Sequence, residues 1–190
     1  MLLSTLENRG KKYRDTVNPR GELPALRLND GRVLTEITAI CEYFDEIASG
    51  GRTLIGSTAE ERAFTRSWTR WADLEIAQGV TNWWRGSGDA INFYRGNRVV
   101  FREGQFELRQ MADHGLNAMD DHLDGREFIC NDERPMLADI LLFSFLFTMS
   151  GTGPWINNAG RKNVAAWFKR MEARPSREAA MNAFSGSVRI

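Results

Sequence analysis

Two cysteines and two histidines are the strongest nucleophiles and metal ligands this 190-residue chain offers, and their placing narrows the chemistry sharply. His114 and His122 stand eight positions apart with no cysteine pair near them, which fits no common zinc spacing, so no metal site is expected. Neither histidine has a companion Ser or Cys signature, which argues against a hydrolase triad. Cys41 falls on the apolar face of a predicted helix and reads as a small buried hydrophobe. Cys41 and Cys130 cannot build the disulfide framework of a small secreted domain, so the expected compartment is the reducing cytoplasm.

Charge narrows the partners. Lys plus Arg equals Asp plus Glu at 25 each, and no block of five or six like charges occurs. Nothing is left over to neutralise phosphates, so neither nucleic acid nor a membrane surface is an expected partner. The longest apolar stretch, residues 140–149, is interrupted by Ser144 and Thr148 and falls short of the ~20 residues a spanning helix needs. Residues 1–12 contain no apolar run of secretory length. With 42% hydrophobic and 26% charged residues the composition is that of an ordinary folded protein.

The elements that would position a site change character along the chain. Asn18-Pro19-Arg20-Gly21 is turn chemistry, and the apolar runs 23–28 and 32–34 flank Asn29-Asp30-Gly31, a hairpin tip. From Glu36 the period becomes helical: Ile37, Ile40, Cys41, Phe44 and Ala48 share a face, and Ser49-Gly50-Gly51 ends it. Ser57-Thr58-Ala59-Glu60 matches a capping box, predicting a long helix to about Asn82 with Phe64, Trp68, Trp71 and Glu75 on one face. A helix is predicted over 103–123 with Leu108, Met111, Gly115, Met119 and His122 on one face. Residues 137–147 are apolar all round, predicting a buried central helix. Residues 163–173 and 176–184 are two more helices, with Pro175 stopping the first and Ser176 capping the second. The fold class is α+β and mainly α: an αβ piece over 1–49, then an all-helical domain over 56–190.

Two strands and one helix bury too little to stand alone, and particular residues say what they belong to. Asn18-Pro19-Arg20-Gly21-Glu22-Leu23-Pro24-Ala25-Leu26, then Gly31-Arg32-Val33-Leu34-Thr35-Glu36 and Ala39-Ile40, resemble the second half of the thioredoxin-like domain of cytosolic glutathione transferases. Phe128-Ile129-Cys130-Asn131-Asp132, Leu137-Ala138-Asp139-Ile140 and Ala166-Trp167-Phe168 through Pro175 are similar to the helical domain of bacterial members. The resemblance covers nearly the whole chain.

It implies a cytoplasmic, homodimeric detoxification transferase that conjugates glutathione, its co-substrate, to a small apolar electrophile. The alternative is a non-catalytic glutathione-transferase-like binding or scaffold protein. By resemblance, Leu23 offers its backbone N–H and C=O to the cysteinyl part of glutathione as an added strand, and the Leu23-Pro24 peptide is cis. The γ-glutamyl carboxylate sits at the amides of Ile37 and Thr38, where a helix start favours an anion, and Glu36 orients the γ-glutamyl end. Arg9, Lys11 and Lys12 stand where members contact the glycine carboxylate; exposed basic side chains are the alternative. Arg70 and Asp73 stand where dimers use an intersubunit site; a solvated ion pair is the alternative. Trp71, Trp83 and Trp84, with Trp68, Phe93 and Tyr94, wall a substrate pocket or else fill core and interface.

Three departures from the family pattern stand out. Ile37 replaces the Ser that bonds the carboxylate, a loss of about 1.5–3 kcal/mol unless Thr38 replaces it. Met136 replaces the Thr that caps the central helix, which leaves Asp139 without its capping-box partner, worth about 0.5–2 kcal/mol. The family domain opens with a strand, helix and second strand carrying the Ser, Tyr or Cys that activates the thiol. Against that pattern the strand-helix-strand is missing here and the catalytic residue is unknown: either the true protein begins ~30 or more residues upstream, or, if it starts at Met1, weak or absent activity is expected.

Overall fold

Residues 6–88, 90–94 and 97–187 are described in the computed structural model, with side chains described as far as Asn182. The expectation for residues 1–12 lies partly outside them. The chain forms two compact units: one runs to Thr53 and takes in the stretch from Glu178, and the other is Leu54–Arg177.

In the first unit the Asn29-Asp30-Gly31 tip turns the chain as the sequence predicts. Gly31 takes φ +87°, which costs a glycine little. Asp30 Oδ1 accepts the Arg32 amide at 3.0 Å and Oδ2 accepts Arg32 Nε at 2.7 Å, and these bonds hold the Asp30 carboxyl below its usual range. Strands β1 (Ala25–Arg27) and β2 (Val33–Thr35) pair antiparallel, Ala25 opposite Thr35 and Arg27 opposite Val33. Helix α2 (Ile37–Ile47) follows directly and buries Ile40. Ahead of the hairpin stand a 3₁₀ turn, Glu7–Arg9, and a short helix α1 (Lys11–Thr16), to which no sequence pattern pointed.

The second unit is helical. Helix α3 (Ala59–Ala72) begins at a capping box one residue later than predicted: Thr58 Oγ1 accepts the Glu61 amide at 3.1 Å, and Glu61 Oε2 accepts the Ser57 and Thr58 amides at 2.6 and 3.3 Å. Adjacent Glu60 and Glu61 make both registers legible, and three-dimensional geometry chooses between them. These N–H bonds hold the Glu61 carboxyl below its usual value. The predicted single helix is interrupted by a π-turn, Asp73–Ala77, before α4 (Gln78–Gly86). Helices α5 (Ala90–Tyr94), α6 (Gln105–His122), α7 (Leu137–Met149) and α8 (Lys162–Glu172) follow, and α9 (Pro175–Ser187) begins in this unit and continues into the stretch from Glu178 that belongs to the first. Pro175 opens α9 as its first residue, where a missing N–H costs nothing, so Ser176 is inside the helix rather than its cap.

Ala72, Ile76, Val80, Leu116, Met119, Leu142, Leu146, Val164 and Trp167 form one core, with α7 buried within it. The buried side of α6 is Ala112, Gly115, Leu116 and Met119, while Met111, expected on that face, points outward. Gly115 is required where α6 meets the π-turn: a Cβ there would lie 2.4 Å from the Glu75 carbonyl oxygen.

Asp139 is better satisfied than expected. Its Oδ2 accepts the Met136 amide at 2.9 Å, and its Oδ1 accepts the Ile129 amide and the Trp167 indole N–H, each at 2.9 Å. The thioether at Met136 is a weak acceptor, but the carboxylate's half of the box survives and ties three segments together. Burial pushes the Asp139 carboxyl up, with those three donors pulling it back. No helix among the described residues is long and apolar enough to cross a membrane.

Candidate functional site

The candidate site is a piece of main chain, and its architecture is best read from what fixes the loop before Pro24. Asn8 Nδ2 donates to the Gly21 carbonyl at 2.6 Å. The Tyr13 hydroxyl and Asn18 Nδ2 each donate to the Glu22 carbonyl at 3.0 Å. Arg14 Nη1 donates to the Pro19 carbonyl at 3.1 Å, and Asn18 Oδ1 accepts the Arg20 amide at 3.0 Å. Asn8, Tyr13 and Asn18 are buried, so the short helix and 3₁₀ turn serve as a clamp on residues 18–22. Burial pushes the Tyr13 phenol above its usual value, leaving it a hydrogen-bond donor at neutral pH.

The clamp stops at Glu22. The next residue, Leu23, is exposed, and neither its N–H nor its C=O has a partner among the described residues. The Leu23-Pro24 peptide is cis, as the resemblance implies. Pairing of Ala25 with Thr35 carries Leu23 and Pro24 to the same end of the hairpin as Glu36 and the start of α2. There the first amides of the helix, on Ile37, Thr38 and Ala39, have no intrahelical acceptor. An unpaired strand-like segment thus lies beside a partial positive charge, which suits a ligand with a peptide backbone and a carboxylate.

Glu36 caps α2 at φ +69° and ψ 121°, a backbone conformation that non-glycine residues seldom take. Its side chain is exposed, and Oε1 accepts from Arg20 Nη2 at 2.7 Å. The same Nη2 donates to Thr35 Oγ1 at 2.9 Å, and Arg20 Nε lies 3.1 Å from Glu22 Oε2. Ile37 is half exposed at the helix start, its side chain offering no hydrogen bond.

The other sequence candidates have contacts within their own units. Lys11 is exposed and paired with Asp15 one turn on, and Arg9 lends its carbonyl to Arg14 Nε at 3.0 Å. In the helical unit Arg70 Nη1 donates to Asp73 Oδ2 at 2.8 Å, and Gln78 Nε2 donates to Asp73 Oδ1 at 3.2 Å. Trp71 packs edge-on to Trp68 at 5.4 Å, Trp83 on Trp155 at 5.2 Å and Trp84 on Tyr94 at 5.7 Å. Trp71 and Trp84 are partly buried against the core. His122 is structural: its ring stacks on Trp68 at 3.8 Å and its Nε2 donates to the Ile129 carbonyl at 2.8 Å. Burial raises the Cys41 thiol and pushes Cys130 up to about 12, so both are poor nucleophiles.

Asn8, Tyr13, Asn18 and Arg20 are the residues that sequence reasoning did not assign to the site. Asn18 carried a usable signal, since Asn before Pro caps its own turn; Asn8 and Tyr13 carried none.

Residues 3–47 match the family model described as glutathione S-transferase, N-terminal domain, and residues 97–170 match glutathione S-transferase, C-terminal domain. The chain is 30% identical over 163 residues to Glutathione S-transferase 2 of Saccharomyces cerevisiae, an alignment covering 84% of this chain and 66% of that one, just under two thirds of its length. It is 30% identical over 124 residues to elongation factor 1-gamma of Artemia salina, covering 65% of this chain and 26% of that protein. The crystal structure of Gtt2 from Saccharomyces cerevisiae superposes with a TM-score of 0.80 at 26% identity, covering 93% of this chain and 82% of that one. The chain belongs to the glutathione S-transferase family.

Proposed function

We propose that this chain is a glutathione transferase, working as a cytoplasmic homodimer in detoxification, that binds glutathione at Leu23, Pro24, Glu36, Ile37 and Thr38 and brings its thiolate to a small apolar electrophile. The observation that carries the reading is the free backbone of Leu23, held by its clamp at the same hairpin end as the open amides of α2. The tripeptide fits term by term: its cysteinyl backbone matches the strand edge at Leu23, and its γ-glutamyl carboxylate matches the helix start. Thr38, one residue on, carries a hydroxyl that stands in for the Ser that Ile37 replaces. Arg9 and Lys11 remain candidates for the glycine carboxylate, Arg70 and Asp73 for an intersubunit site, and Trp71, Trp83 and Trp84 for the electrophile pocket.

Transfer requires the thiol to ionise near neutral pH and attack an electrophilic carbon, displacing a leaving group or adding across a double bond. Neither cysteine of the chain suits a nucleophilic role, so the sulfur that reacts is glutathione's own. A second reading, a binding or scaffold module without turnover, draws support from the similarity to a protein named elongation factor 1-gamma.

One pair of assays separates them. Calorimetry with glutathione, followed by conjugation of a generic aromatic electrophile, gives binding and turnover for the transferase and binding alone for the scaffold. Absence of binding contradicts both.

A further inference from the structure

Arg20 occupies a position that neither charge balance nor loop geometry demands. It is half exposed and adds nothing to the core, yet its guanidinium gathers three acceptors that lie up to 16 positions away: Glu22 Oε2 at 3.1 Å, Thr35 Oγ1 at 2.9 Å and Glu36 Oε1 at 2.7 Å. The one guanidinium reaches both the Glu22 and the Glu36 carboxylates. Glu36 is bonded through one oxygen only: among the described residues Oε2 has no partner. A glutamate so exposed would sample several rotamers if left alone, and holding a long side chain in one of them costs entropy. The planar fork of an arginine is suited to that task, because two of its donors point in fixed and different directions.

We propose that Arg20 is a positioning residue that pins Glu36 by Oε1 and presents Oε2 to a cationic amino group, so that the site selects a ligand ending in a zwitterionic α-amino acid. This deepens the glutathione reading and rests on it. The γ-glutamyl end carries both an ammonium and a carboxylate. With the carboxylate on the α2 amides, the ammonium meets an oxygen already aimed and already charged. An analogue lacking only the amino group keeps the peptide and carboxylate contacts and loses the one that Arg20 prepares.

The test is calorimetric titration of the full chain and its Arg20→Ala and Arg20→Lys variants with glutathione and with glutaryl-cysteinyl-glycine, which is glutathione without its α-amino group. The wild type is expected to prefer glutathione roughly tenfold, the scale of one charge-assisted hydrogen bond. Arg20→Ala is expected to cut that preference to about twofold or less, and Arg20→Lys to restore part of it, since a point charge can reach one carboxylate. Thermal melts confirm folding; should Arg20→Ala melt below the assay temperature, Arg20→Gln takes its place. An undiminished preference in the neutral variant overturns the assignment to Arg20 while the glutathione reading stands, as does a wild type that binds both ligands equally. A wild type that binds neither overturns both.

Discussion

The Tyr13 hydroxyl donates to the carbonyl of Glu22 at 3.0 Å, one residue before the exposed backbone of Leu23. That bond, repeated on the same oxygen by Asn18, draws one carbonyl inward and leaves the next peptide turned to solvent. The loop is therefore preorganised, and a ligand does not have to order it.

Tyr13→Phe keeps the buried ring and removes the donor. Asn18 still satisfies the Glu22 oxygen, so the stability cost is expected to be modest, about 1 kcal/mol, read as a shift in the urea midpoint. Glutathione affinity is expected to fall several-fold by calorimetry. Unchanged affinity alongside lowered stability would mean that the clamp supports the fold alone.

Ile37→Ser reverses the family substitution. Ile37 is half exposed, so little packing is lost, and a hydroxyl at the first turn of α2 gains a charge-assisted bond to the γ-glutamyl carboxylate. A tightening of about fivefold in glutathione binding is expected, somewhat under the ~1.5 kcal/mol lower bound for a bond to a charged group, because water competes at this surface. No gain would show that the carboxylate sits elsewhere.

Gly115→Ala pits two effects against each other. Helix propensity favours Ala by about 1 kcal/mol, while the new Cβ would lie 2.4 Å from the Glu75 carbonyl oxygen and 2.9 Å from an Ile76 side-chain carbon. Backbone cannot yield at such a distance, and overpacking costs about 1–3 kcal/mol or more. Net destabilisation is expected by thermal melt. Gly79→Ala, whose nearest contacts are 3.1 Å, is expected to cost less.

Cys130 provides a test against pH. With its thiol pushed up to about 12 by burial, then by the nearby Asp139 charge, the native protein holds this proton well past the pH at which the unfolded chain, near 9, releases it. In that window the folded state binds more protons, so stability is full below pH 9 and falls as pH rises, by at most about 1.4 kcal/mol per unit. Cys130→Ala is expected to flatten the decline, measured by urea titration between pH 8 and 10. An equal slope in both proteins contradicts the burial argument.

Much of the fold was legible before the structure. The hairpin, α2 and the central helix announce themselves through turn chemistry, a change of period and an apolar run, all local properties. What escaped was long-range. The shift from Ser57 to Thr58 as cap, the π-turn and the outward Met111 depend on how α3 and α6 pack, which a sequence pattern does not encode. At the candidate site, the proposed main-chain contacts at Leu23 and Ile37 came from the resemblance. Tyr13 and Asn8 were not, since each acts through one bond to a carbonyl 9 or 13 positions away.

The most direct measurement is an amide-resolved NMR titration of the 15N-labelled chain with reduced glutathione. Saturable shifts at Leu23, Ile37, Thr38 and Ala39, together with slowed exchange of the Leu23 amide, are the expected result. Shifts confined to residues 54–177, or none at millimolar glutathione, would contradict the claim that the Leu23 backbone and the start of α2 form the binding site.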